Sequence, residues 1–183
     1  MVALGLVPEL TAKAARTAAA SAGAKVVRTF SFEISKSEQE EIKAINPDLV
    51  LLCGGTDGGN KEVIIANARK LGEIESNFSI VVAGNKSAAD EVDDILSKSN
   101  KEYRITENVM PQFNQLNIEP ARQEITKIFI DRIIHAKGLG AVQEMASSKV
   151  IPTPRAVMNG CELLSRGTEQ TEGIGELMAT DIG

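Results

Sequence analysis

From residue 49 to residue 53 the chain reads Leu-Val-Leu-Leu-Cys, with no polar side chain to turn toward water. A strand of alternating character can keep one face in solvent. A continuously aliphatic one must be covered on both faces, as in the middle of a parallel sheet. Four further stretches have strand character, at residues 2–7, 25–34, 78–83 and 101–106. Helical patterns lie between them. The first is an alanine-rich run at 12–22, stopped by Gly23. The second opens at Ser35, where Glu38 three residues on completes a capping box, and Asn46-Pro47 ends it. The third starts at Asn60 and carries Ile64, Ala68 and Leu71 on one face. The fourth is expected to be capped by Ser87, with Asp90 and Glu91 near its positive end and Val92, Ile95 and Leu96 as its apolar side. Aromatic residues are 3% of the chain and Trp is absent, so the core must be built from Ile, Val, Leu and Ala. The alternation predicts an α/β fold, a Rossmann-like and mainly parallel sheet with helices on both faces.

The rhythm changes after Thr106. Residues 108–117 read as irregular. A long helix is predicted from about Pro120 to Lys137, with Ile125, Ile128, Phe129 and Ile133 as a stripe that only Arg132 interrupts; Gly138 and Gly140 end it. Residues 150–154 read as extended, 156–165 as a short helix, 168–175 as a polar loop and 177–183 as a strand running into a turn. Two units follow from this: an α/β subdomain over residues 1–108, and a helical segment over residues 109–183.

Charge and composition remove several functions. Lys and Arg number 20 against 25 Asp and Glu, a net charge of −5, with no basic stripe and no aromatic platform. Nucleic acid is therefore not an expected partner. Cys53 and Cys161 are far apart and lack metal-ligand spacing, which suits a reducing compartment. With His135 as the one histidine, zinc has almost no ligands to draw on; a histidine near a helix end is expected to be favoured by the dipole there. No nucleophile elbow is present. No apolar run approaches a membrane span and no signal-peptide pattern opens the chain, so a cytoplasmic protein is expected.

Two stretches carry candidate chemistry. Gly54, Gly55, Thr56, Asp57, Gly58, Gly59 and Asn60 follow the central strand and open a helix. Amides at such a place attract anions, and glycines let a ligand approach the backbone, so a phosphate or carboxylate is one candidate occupant. The other reading is a tight turn in which the glycines take positive φ and Asp57 and Asn60 bond locally. The pattern is neither a P-loop nor a dinucleotide fingerprint. The second stretch is Asp181-Ile182-Gly183 after an aliphatic run. An Asp-x-Gly at a strand end is how a phosphate loop of actin-like ATPases begins.

Taken in order, the motifs form a series: GLVPELT at 5–11, AGAKV at 22–26, GGTDGGN at 54–60, VVAGN at 81–85, TENVMP at 106–111, NIEPAR at 117–122, PTP at 152–154 and DIG at 181–183. This series resembles the GlmL/MutL family, actin-like ATPases associated with cobalamin-dependent glutamate mutase and unrelated to the mismatch-repair protein that shares the name. The resemblance implies a parent protein that uses ATP and Mg to help a mutase exchange damaged cobalamin, with Asp181 reaching the nucleotide's magnesium and Gly183 in the phosphate loop. It also implies that residues 109–183 return to an actin-like ATPase core. The chain then reads as an internal piece of such a parent, with no first phosphate loop and no cofactor of its own. A cobalamin-dependent mutase is its expected partner, and pairing of two copies through the edge at Asp181 is an alternative association. Direct ligation of cobalamin is not expected, because Asp131 lies four residues before His135 in the same helix and not in an Asp-x-His-x-x-Gly loop.

Overall fold

The computed structural model describes residues 1–136, 151 and 153–180. The five stretches of strand character become five strands: β1 (Val2–Gly5), β2 (Arg28–Ser31), β3 (Leu49–Leu52), β4 (Ser79–Val82) and β5 (Tyr103–Ile105). They form one sheet in the order β2-β1-β3-β4-β5, every pair parallel, with Val2 opposite Val50 and Val50 opposite Ile80. β1, β3 and β4 are buried at every position. The edge strands β2 and β5 carry Arg28 and Arg104, which suits an edge, where charge discourages pairing with another chain.

The helices among the described residues are α1 (Pro8–Ala22), α2 (Lys36–Ile45), α3 (Glu62–Glu73), α4 (Ala89–Leu96), α5 (Glu119–Ala136) and α6 (Thr153–Arg166). Their division between the two faces follows from the strand order. The chain steps outward from β1 to β2, then returns past β1 to β3 and continues the other way. With crossovers of one hand, that reversal sends α1 to one face and α2, α3 and α4 to the other. The two cores reflect it. Val2, Leu4, Val50, Leu52 and Ile80 pack under Ile42, Ile64, Leu71 and Leu96 on one side. Ala3, Leu51, Cys53 and Val81 pack under α1 and α5 on the other. α1 presents Ala14, Ala15, Ala18, Ala19 and Ala22 as its buried stripe, and α5 answers with Ala121, Ile125 and Ile128. The alanines let α1 approach the sheet closely, and the larger isoleucines of α5 fill the remaining volume. The first helix of the segment after residue 108 thus seals a face of the sheet before it.

Local signals explain most boundaries. Gly23 has φ 75° and Ala24 donates back to the Ala19 carbonyl at 2.8 Å, closing α1. Ser35 and Glu38 form the expected capping box, and Asn46 at φ 46° ends α2. Three expectations need correction. Asn85, not Ser87, caps the turn before α4: its side chain accepts from the Ser87 amide, and a 3-10 turn (Lys86–Ala88) intervenes. Residues 168–175 are not an open loop but hold a small antiparallel pair, β6 (Gly167–Thr168) and β7 (Thr171–Glu172), with Gly167 at φ 79°. Residues 177–180 form no strand, and Met178 is 94% exposed; an aliphatic run without a partner strand has no ladder to join. Gly138, Gly140 and the Asp181 to Gly183 turn lie outside the described residues. No helix among the described residues is long and apolar enough to cross a membrane.

The Ser35 box is a direct test of these local rules. Hydrogen bonds from the Ser35 amide and hydroxyl hold the Glu38 carboxyl below the usual carboxylate range. A lowered acid contributes stability above its unfolded-state value and loses it as pH falls through the folded one. Ser35→Ala is expected to lower stability by about 1 kcal/mol near neutral pH. In urea unfolding curves the difference from the parent should narrow once Glu38 is protonated.

Candidate functional site

The reversal between β1 and β3 opens a crevice at their carboxyl ends, since the chains leaving them go to opposite faces. Leu6 and Val7 leave β1 on one side; Cys53, Gly54, Gly55 and Thr56 leave β3 on the other. Residues 108–113 close the third side. The crevice encloses about 200 Å³. Its position coincides with the Gly54 to Asn60 loop.

The loop is held from two directions by buried asparagines. Asn85 follows β4 and is 2% exposed. Its Oδ1 accepts from the Gly58 amide at 3.0 Å and the Ser87 amide at 2.9 Å. Its Nδ2 donates to the carbonyls of Gly59 at 2.9 Å and Asn60 at 3.2 Å. Asn108 follows β5, and its Nδ2 donates to the Gly55 carbonyl at 3.0 Å and the Asp57 carboxylate at 2.9 Å. Asp57 also accepts from the Lys86 amide at 3.1 Å, while its own amide donates to the Pro111 carbonyl at 3.0 Å. Gly59 donates to Thr56 at 2.9 Å. Two glycines are required here: Gly55 at φ 72°, where a Cβ would lie 2.1 Å from the Asn60 carbonyl oxygen, and Gly84, where it would lie 2.9 Å from the Gly54 carbonyl oxygen.

These bonds decide what the loop offers. The amides of Asp57, Gly58 and Gly59 are used within the protein and do not converge on a free centre. At the start of α3, Glu62 accepts from the Asn60 side chain at 2.7 Å and the Lys61 amide at 3.2 Å, while Asn60 Oδ1 accepts from the Val63 amide at 3.3 Å. Asn60 thus stands just before the helix as its capping side chain. Lys61 is turned away, paired with Glu91 at 2.7 Å. The predicted candidates from Gly54 to Asn60 therefore come together in one rigid turn beside the crevice. Asp181 and Gly183, the expected nucleotide and magnesium residues, lie outside the described residues.

Sequence reading missed Asn67, Asn85 and Asn108. The signal was there: Asn85 and Asn108 each come three residues after their strand, at the same end of the sheet. Asn67 is fully buried in α3 and grips the turn after β2, donating to the Phe32 carbonyl at 2.9 Å and accepting from the Ile34 amide at 2.9 Å. Phe32 has φ 64°, unusual for a bulky residue, and its ring is 59% exposed.

Two outcomes are expected. Asn85→Ala should lower unfolding free energy by about 1–3 kcal/mol, since two amides and two carbonyls lose their partner together; chemical denaturation reads this. Burial pushes the Cys53 thiol up to about 12. Iodoacetamide followed by peptide mass mapping should therefore label the partly exposed Cys161 in native protein and leave Cys53 unmodified until denaturant is added.

Comparison with known proteins places these features in a family. A family model described as MutL protein matches residues 1–183. Protein MutL of Clostridium tetanomorphum is 50% identical over 183 residues, which is all of this chain and 40% of that protein's length. Among solved structures, the receiver domain of a modulated diguanylate cyclase from Desulfovibrio desulfuricans is 12% identical at TM-score 0.43, covering 73% of this chain and 97% of its own. The receiver domain of the putative response regulator NarL from Mycobacterium tuberculosis is 20% identical at TM-score 0.40, covering 75% and 95%. Scores at that level carry nothing beyond a general likeness. Matched along its whole length by one family model, and sharing half its residues with a member, the chain belongs to the MutL protein family.

Proposed function

We propose that this chain is the partner-facing α/β part of an ATP-dependent reactivating chaperone for an adenosylcobalamin-dependent mutase, with glutamate mutase as the partner. The observation that carries the reading is the 50% identity to Protein MutL over all 183 residues, beside the ordered motifs that resemble the GlmL/MutL family. In this reading residues 109–183 lead into an actin-like ATPase core, and ATP and Mg act there with Asp181 and Gly183. The role of residues 1–108 is recognition.

One structural feature supports a recognition role. Phe32 keeps a left-handed backbone at a cost of about 1–3 kcal/mol, and such strain persists only where surrounding bonds impose it. Here Asn67 imposes it from inside α3, the Phe32 amide donates to Gly5 at 2.8 Å, and Lys70 anchors Glu33 at 2.8 Å. The result is a rigid turn with an aromatic ring in solvent. Aromatic residues, Phe among them, are enriched in protein interfaces relative to the rest of the surface.

The test is titration calorimetry of the chain against purified glutamate mutase subunits, with and without an inactive cobalamin. Saturable binding is expected, with no ATP hydrolysis by the chain alone. Phe32→Gly should raise stability by about 1 kcal/mol by relieving the backbone. The same change should weaken mutase binding by about tenfold, the loss of one aromatic contact. Absence of binding in both cofactor states would overturn the reading.

A further inference from the structure

We infer that the crevice between the ends of β1 and β3 is a binding site for a neutral, compact and largely apolar small molecule, not for the anion that a glycine-rich turn suggests. Three observations lead there. The first is the wall. Leu6, Val7, Ala14, Cys53, Val109 and Phe113 supply it, and the neighbouring Gly54 and Gly55 add backbone without side chains. The floor at Ala14 and Cys53 is buried, and Phe113 stands 74% exposed at the mouth.

The second is the electrostatics of the rim. The nearby carboxylates of Asp57 and Glu62 accept the local donors, and the Lys61 ammonium is held by Glu91. Within the turn, the amides of Asp57, Gly58 and Gly59 are bonded to Pro111, Asn85 and Thr56. No Lys, Arg or His stands among the lining residues, so a phosphate would leave water beside the carboxylates of Asp57 and Glu62 without a cationic side chain to balance it. Among the described residues, the Thr56 hydroxyl is a polar group of the wall that makes no hydrogen bond within the protein, and it suits one polar edge on an otherwise apolar ligand.

The third is size and rigidity. A cavity of about 150 Å³ with apolar walls accepts benzene, so about 200 Å³ accommodates a substituted single ring or a small bicycle. Asn85 and Asn108 hold the glycine turn before any ligand arrives, so little ordering is left for binding to bear.

The experiment uses the chain by itself, so its result is independent of the mutase reading. Saturation-transfer NMR is recorded with phenol, indole and inorganic phosphate as probes. Phenol and indole should bind saturably and compete with each other, and phosphate should neither bind nor displace them. Ala14→Met fills the floor and should abolish the signal with the far-ultraviolet circular dichroism unchanged. If that variant fails to fold, Phe113→Ala decides, because its ring is largely in solvent; it should weaken binding by about tenfold. Silence from both aromatic probes, displacement by phosphate, or binding that survives both substitutions overturns the inference.

Discussion

Strand β3 has no polar side chain to give to water, and the rest of the fold answers that constraint. Leu49, Val50, Leu51 and Leu52 alternate between the two faces, so both must be covered. One sheet face receives α2, α3 and α4, and the other receives α1 and α5. Covering both faces with crossovers of one hand requires the winding to reverse somewhere. It reverses beside β3 itself, between β1 and β3. The crevice is the geometric remainder of that reversal. No residue needs to be placed there for a concavity to exist; residues decide only what it can hold.

What it can hold is set by side chains that lie outside the glycine turn. A sequence of glycines with one Asp and one Asn, read alone, offers amides. In the folded chain the amides of Gly58, Asp57 and Gly59 are taken by Asn85, by Pro111 and by the turn itself, while Asn108 holds the turn's carbonyl and carboxylate. A buried asparagine has two donors and two acceptor directions, so it can join loops whose backbones would otherwise lose water without replacement. The same device recurs at Asn67, which fixes the turn carrying Phe32. Both locked turns stand at the carboxyl end of the sheet, one after β2 and one after β3.

Much of the fold was legible because its causes are local or periodic. The aliphatic runs, the Ser35–Glu38 box, the Gly23 stop and the stripe of α5 all rest on spacings within a few residues. The failures arise where composition does not report pairing. Residues 177–180 have strand composition and form no strand, because a strand is a relation between two segments and composition describes only one. The 167–172 pair was missed for the converse reason: its residues are polar, and the turn that joins them rests on Gly167 at positive φ and on Thr168 accepting from the Thr171 amide. The capping and clamping role of Asn85 was not legible because its partners, Gly58 to Asn60, lie more than twenty residues away.

The sequence by itself determined the class of fold, the faces of its helices and the family, since periodicity and ordered motifs are carried by the chain without reference to its path. The tertiary structure alone decided the strand order, the place of the crevice and the residues that line it. Those depend on which groups end up within hydrogen-bonding distance after the chain has crossed the sheet, and burial then converts each such meeting into a requirement. Gly54 to Asn60 owes its turn to two asparagines, Asn85 and Asn108, that follow β4 and β5 and lie far from it in the chain.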